Sequence, residues 1–365
     1  MMREPLDPNS LSPNQPPAHT LMPPEPSPAH DPHRRGLMIL GAHDVARQLQ
    51  GRERALMEVA AKAYVTHARG ESCLPQSEYL RFPGKERERI IPKAGYLGGS
   101  QPVAGIKWIS SFPDNTRAGM PRASAVIVLN DVNTGRPTTV MEGSLISCQR
   151  TAAGAALAAR HLHQQPSIGT LGLFGCGLIG QEILRFILAD TRPVDSVLLY
   201  DVNRAYSRAL AEALRAKGFR GEVAVSRSRK EMVARSDVLV FATSAVKPSL
   251  DSIEHAPAHA TLLHVSLRDF TVNAVLQADN LADDIEHVLQ AQTSAHRTAQ
   301  LTGRRDFVRA TLADVMEGRA APRIGDRPVM FHPFGLAALD LAFAQDVALR
   351  CADAGQGQFV AEFLL

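Results

Sequence analysis

The chain has little cysteine and no cysteine framework. Its four cysteines, Cys73, Cys148, Cys176 and Cys351, are scattered and form no CxxC pair. That spacing excludes a disulfide scaffold or a cysteine-based zinc site and fits a reducing cytoplasm. Charge of one sign is not in excess either. With 40 basic and 37 acidic residues the formal net charge is +3, which gives no reason to expect nucleic acid or an anionic membrane as partner. No run of about 18 apolar residues is present, so a membrane span is not expected. The N-terminus has no basic region followed by an apolar core, so no secretion signal is expected. Residues 1–35 are instead rich in Pro, Ser, Asn and His. Few apolar side chains and many missing backbone donors predict a disordered tail there.

What is present suits an ordinary two-domain globular protein. Its 365 residues are 45% hydrophobic and 21% charged, enough apolar material for two cores. His161 with His163, and His255 with His259, have no cysteine or carboxylate partner at zinc-site spacing. They read as solvated histidines, and no metal is expected.

Ordered structure is expected from Leu37 onward. Val45, Leu49, Leu56, Val59, Ala60 and Ala63 recur at helical spacing through about Arg69. Residues 74–132 read as short strands divided by Gly and Pro. A long Ala-rich helix follows, from about Ser147 to His161. The pattern then changes to alternating strands and helices: Ile168–Phe174, Leu178–Leu188, Ser196–Tyr200, a helix capped by Asn203 and ended by Gly218, then Val223–Val225, Val238–Phe241 and Leu262–Val265. Near-continuous apolar strands alternating with helices predict a parallel sheet covered on both faces. A final apolar helix, Gly335 to about Cys351, lies after this segment and returns to the first domain. The predicted fold class is α/β: a Rossmann domain over 163–325 and a discontinuous α+β domain over 36–162 and 326–365 for substrate binding and dimerisation.

The strongest local motif is Gly175-Cys176-Gly177-Leu178-Ile179-Gly180, set between a strand and a helix. Gly175 allows the tight turn, Gly177 admits a pyrophosphate, and Gly180 lets the helix approach the strand. The helix N-terminus favours the phosphate charge. Asp201, 21 residues beyond Gly180, can accept from the adenosine ribose hydroxyls. It favours NAD, since a 2′-phosphate would be repelled, although Arg204 leaves room for NADP. Cys176 reads as a small loop residue. Thr243 and Ser244 end the fourth strand at the carboxyl edge, where ligands bind in open α/β sheets.

The run Lys107–Asn115, then Gly119, Asp131–Pro137 and Arg150-Thr151-Ala152-Ala153 resembles the ornithine cyclodeaminase/μ-crystallin family. The dinucleotide turn and Val329–Asp340 follow in the family's order, so the resemblance covers nearly everything from residue 37. It implies that Lys107 binds a substrate carboxylate or assists proton transfer. It implies that Arg150, with Thr151, contacts cofactor phosphate or substrate, and that Asp269 holds the substrate amine and activates water. Three departures put ornithine cyclisation in doubt. Arg122 stands where a threonine is usual, Val275 where a glutamate is usual, and Ser77 where an arginine follows Pro-Gln. Arg81 or Arg89 can replace the last. An added Arg122 suits a substrate with a further carboxylate.

Pro92–Gly99, Gly105–Pro113, Arg122–Ala125 and Ser266–Phe270 are similar to one branch of the family. That likeness implies NAD-dependent oxidative hydrolysis of a secondary amine joining glutamate to 2,3-diaminopropionate, in siderophore or other natural-product biosynthesis. It also implies a small amino-acid-derived substrate, a homodimer through the first domain's sheet, and a separate enzyme that makes the substrate. The alternatives are ornithine cyclodeamination, ketimine reduction or alanine dehydrogenation, or a non-enzymatic binder of NAD(P)H and a small ligand.

Overall fold

The computed structural model describes residues 36–364. The expected disordered tail, residues 1–35, lies outside them. The first lobe runs β1 (Gly36–Leu40), α1 (Ala42–Leu49), α2 (Glu53–Ala68), β2 (Ser72–Cys73), β3 (Leu80–Phe82), β4 (Lys85–Leu97), β5 (Val103–Ser111), β6 (Ala123–Asn130) and β7 (Pro137–Glu142). The long helix α3 (Ser144–Leu162) then leads into the second lobe. That lobe runs β8 (Ile168–Phe174), α4 (Leu178–Ala189), β9 (Val194–Tyr200), α5 (Arg204–Ala216), β10 (Glu222–Val225), α6 (Arg229–Arg235), β11 (Val238–Phe241) and β12 (Thr261–His264). It continues with α7 (Val272–Leu276), β13 (Asp279–Ala282), α8 (Ile285–Val288), α9 (Ser294–Thr302), β14 (Val308–Thr311), α10 (Leu312–Met316) and β15 (Val329–His332). The chain closes with α11 (Ala337–Asp353) and β16 (Gln358–Ala361).

The second sheet is parallel, in the order β10-β9-β8-β11-β12-β15-β13-β14. Strands β11, β12, β13 and β15 are buried at every residue, as expected of strands with helices over both faces. The first sheet is largely antiparallel, in the order β16-β1-β7-β6-β5-β4-β2, with β3 added on β4. Pro92 sits inside β4 without breaking a ladder. On one side β3 pairs only as far as Ile90 and β2 begins at Tyr96, so Pro92 falls in the gap between them.

The end of the chain returns to the first sheet: α11 packs on β4, β5 and α2, and β16 pairs with β1. The boundary is not where the sequence placed it. Val329–His332 is a fully buried strand between β12 and β13, so the chain leaves the parallel sheet after His332 and not near residue 326. The segment is too short to separate from the apolar helix that follows it. Nor do the lobes have separate cores. One apolar cluster runs from Leu40 and Val45 through α3 into Leu171 and Phe331. The Ala-rich α3 makes this possible, because small side chains let α2, α4 and α11 approach it closely.

Candidate functional site

The turn between β8 and α4 has the geometry its glycines call for. Gly175 adopts φ +89° and a Cβ there would strike the Ala242 carbonyl. A Cβ on Gly180 would overlap the Gly175 carbonyl, so the helix start packs directly on the turn. Around Gly177 nothing lies within 4 Å of an added Cβ, leaving open space where a phosphate would meet the amides opening α4. Leu178 is exposed and Ile179 half-buried at that helix start. Asp201, just past β9, accepts the Cys176 and Asn203 amides, each at 2.8 Å, which ties the turn to the ribose position. Asn203 caps α5 as expected, accepting from the Ala205 amide at 3.2 Å. Burial pushes the Cys176 thiol up to about 12, with Asp201 adding to the effect. It is no thiolate at neutral pH.

Facing this edge, the first lobe supplies a buried ionic cluster. Lys107, 1% exposed on β5, pairs with Asp340 of α11 at 2.7 Å and donates to the Ser147 hydroxyl at 3.0 Å. Arg150 of α3 takes the other Asp340 oxygen at 2.9 Å. Lys93 lies directly across from Lys107 in the β4–β5 ladder and donates to the Gly335 carbonyl at 2.7 Å. Burial lowers Lys107 to about 7, aided by Arg150 and Lys93 and opposed by Asp340. Burial, then Arg150, lowers Lys93 to about 8. For Asp340 burial acts upward, but Arg150, Lys107 and Lys93 together hold it below the usual carboxylate range.

The loop Pro333–Leu336 closes the cluster. Asp283, at the end of β13, accepts the Phe334 and Gly335 amides at 2.8 and 2.7 Å. Gly335 has φ +87°, and a Cβ there would come within 2.5 Å of the Arg150 guanidinium. Two cavities share the Phe334–Gly335 wall. One, of about 300 Å³, is lined by residues including Ser77, Tyr79, Arg81, Lys93 and His287. The other, of about 150 Å³, is lined by Tyr64, Arg150, Thr151 and Val265 among others.

A second buried network lies behind the carboxyl edge of the parallel sheet. Asp269 accepts from the Thr243 hydroxyl at 2.5 Å and from the Ser266 hydroxyl, and its other neighbour is His264 Nε2 at 3.2 Å. His264 Nδ1 meets His332 Nδ1 at 3.0 Å, and His332 Nε2 meets Asn280 Oδ1 at 2.9 Å. The Asn280 amide nitrogen donates to the Val275 and Ala278 carbonyls at 2.8 and 3.0 Å. Its oxygen therefore faces His332, which must donate from Nε2. A neutral His332 then accepts at Nδ1 from His264, and His264 accepts the Asp269 amide at Nε2, 3.1 Å away. Burial holds both imidazoles below their ordinary values.

Most of the sequence-selected residues thus fall into two groups. Gly175, Gly177, Leu178, Ile179, Gly180 and Asp201 form the turn, with Thr243 and the exposed Ser244 at the end of β11. Arg81 lines the larger cavity and Arg150 and Thr151 the smaller; Lys107 lines neither and reaches them only through Asp340, which it shares with Arg150. Arg122 is exposed one residue before β6, where its carbonyl accepts the Phe112 amide at 2.8 Å. Desolvation, then the charges of Arg89 and Arg87, lower its pKa. It stands next to Ala123, in the cross-strand row of Ser111, Arg89 and Arg81, and lines neither cavity. Nor does the structure join Lys107 to Asp269: no hydrogen bond or ion pair links them among the described residues, and Asp269 lines neither cavity. His163, read as solvated, is 1% exposed at the end of α3 and contacts the Ser167 carbonyl at 3.2 Å. Sequence reasoning missed Lys93, Asp340, Asp283, His264 and His332. The one available signal was Asp340, a lone acid in the apolar run Ala337–Ala344.

A phosphate-ready turn on a parallel sheet, with a buried Lys–Asp–Arg cluster in the adjoining lobe, defines a two-lobed Rossmann protein. The model of the ornithine cyclodeaminase/mu-crystallin family matches residues 37–354, and the chain belongs to that family. It is similar to the N-((2S)-2-amino-2-carboxyethyl)-L-glutamate dehydrogenase of Staphylococcus aureus, with 29% identity over 85% of this chain and 94% of that one. It is also similar to the alanine dehydrogenase of Archaeoglobus fulgidus, with 27% identity over 80% and 88%. Among solved structures, the Thermococcus litoralis Delta(1)-pyrroline-2-carboxylate reductase in complex with NADH and L-proline superposes with TM-score 0.81 at 24% identity, covering 89% of this chain and all of the other. No described helix is long and apolar enough to cross a membrane.

Proposed function

We propose that the protein is an NAD-dependent dehydrogenase acting on the CH–NH group of N-(2-amino-2-carboxyethyl)-L-glutamate. With NAD⁺ and water, the products are 2-oxoglutarate, L-2,3-diaminopropionate, NADH and a proton. The observation that carries this reading is the buried Lys107–Asp340–Arg150 cluster beside a cavity lined by Arg81 and Lys93 and by no carboxylate. It suits a substrate with several carboxylates, and the likeness to the Staphylococcus aureus dehydrogenase over 85% of the chain supports the same substrate.

The Gly175–Gly180 turn fits a dinucleotide, since the space beside Gly177 is open. Its amides would hold the pyrophosphate and Asp201 the adenosine ribose. Asp201 favours NAD over NADP. When bound, NAD supplies the hydride acceptor. Arg150 and Thr151, which line the smaller cavity, would orient a carboxylate or the cofactor phosphate. Lys107, neutral above about pH 7, is the group that removes a proton from the water attacking the glutamate Cα. Lys107, protonated by that step, would return the proton to the amine as the C–N bond breaks, and Asp269, a carboxylate held below its ordinary range, would hold the amine. The outer face of the first sheet leaves Trp108 and Val126, directly opposite each other, 44% and 39% exposed. That apolar face supports a homodimer. A separate enzyme would have to supply the substrate, within siderophore or other natural-product biosynthesis.

The test is incubation of the purified protein with NAD and synthetic N-(2-amino-2-carboxyethyl)-L-glutamate, following NADH absorbance and identifying products by mass spectrometry. NADH with both named products supports the reading. Proline and ammonia from ornithine without net NADH, or pyruvate and NADH from alanine, would replace it with another reaction of the family.

A further inference from the structure

We propose that Lys93 holds a second carboxylate of the ligand in the larger cavity, and so selects dicarboxylic over monocarboxylic keto acids and the amines derived from them. The inference rests on the proposed function only for the ligand's class.

The cavity of about 300 Å³ has room for a small organic acid. Its polar wall includes Tyr79, Arg81, Lys93 and His287, and no Asp or Glu contributes to it. An ammonium has three N–H donors. Lys93 spends one on the Gly335 carbonyl and rests against the Phe334 ring at 5.1 Å; it makes no other hydrogen bond and no ion pair among the described residues. Lys107 and Arg150 differ from it, since each already pairs with Asp340. Charge pairing points the same way. Lys107 and Arg150 share Asp340, so among these three buried cations Lys93 alone has no carboxylate paired with it among the described residues. An unpaired buried charge is costly, and an arriving carboxylate removes the cost. At pH 7 the Lys93 amine is largely protonated, because burial lowers it only to about 8, and a carboxylate beside it would raise that value.

The experiment uses the full-length protein loaded with NADH. The probes are 2-oxoglutarate and 2-oxopentanoate, equal in chain length but differing in the distal carboxylate, and affinity is read by calorimetry at pH 7. One charge-assisted hydrogen bond in a buried site predicts that the wild type prefers 2-oxoglutarate by about tenfold or more. The preference should collapse towards unity in Lys93→Met, return in part in Lys93→Arg, and fade in the wild type as pH rises past about 8. NADH binding by each variant, read by fluorescence, shows that it is folded. Equal wild-type affinities overturn the proposal, as does a preference that survives in Lys93→Met but vanishes in Arg81→Met. A wild type that prefers 2-oxoglutarate yet does not oxidise the secondary amine would leave this inference standing and defeat the proposed reaction.

Discussion

At the scale of the residue, Lys107 and Asp340 depend on each other. An amine brought to about 7 by burial is a proton acceptor matched to neutral pH. Its rate contribution needs the neutral form, so kcat should rise with pH to a plateau above about 7. In Lys107→Met that limb should vanish, and kcat should fall by about 10²–10⁴, the usual contribution of a positioned acid or base. Unchanged pH dependence in this variant would remove Lys107 from the chemistry. Asp340→Asn leaves Lys107 and Arg150 without their shared counter-charge in a fully buried place. A stability loss of about 3–5 kcal/mol is expected, measured as a drop in the denaturant midpoint. Of these residues Lys107 was legible in the sequence, because a lysine inside an apolar strand calls for explanation. Lys93 was not. Its importance comes from standing opposite Lys107 in a ladder whose register a sequence does not display.

At the scale of the element, the β8–α4 turn separates two roles for glycine. Gly180 is closed in by the Gly175 carbonyl, whereas Gly177 faces open space. Gly177→Val should therefore keep its melting temperature and lose NADH binding, while Gly180→Ala should lose stability first. Equal behaviour of the two in a thermal-shift titration with NADH would refute this division. The motif was legible because its spacing is local. The carboxyl-edge histidines were not, since His264, His332 and Asn280 come from three different strands and meet only once β15 inserts between β12 and β13. The same insertion explains why the domain boundary falls after His332. Arg122, expected as a substrate contact, lines neither cavity. Its residue type suited a carboxylate, but its position at a hairpin end decides what it faces.

At the scale of the whole molecule, the lobes share one apolar core through α3, and the Pro333–Leu336 loop is clamped between Asp283 of one lobe and Lys93 of the other. The cavities are thus built by both lobes, and a change in either should register in ligand binding. The exposed Trp108–Val126 row belongs to the first sheet alone. Trp108→Glu should convert a dimer to a monomer in analytical ultracentrifugation, and a wild type that is monomeric at micromolar concentration would refute the assembly. The alternation of strands and helices announced the parallel sheet. The meeting of the two lobes could not be read, since its cavities join residues 74–94 and 150–151 to residues 265–291 and 333–339.

A net oxidation at a CH–NH bond fixes the stoichiometry of the reaction. The purified protein, limiting N-(2-amino-2-carboxyethyl)-L-glutamate and excess NAD should yield one NADH, one 2-oxoglutarate and one 2,3-diaminopropionate for each substrate consumed. Consumption of that substrate without NADH, or NADH release only from a different amino acid, would contradict the account.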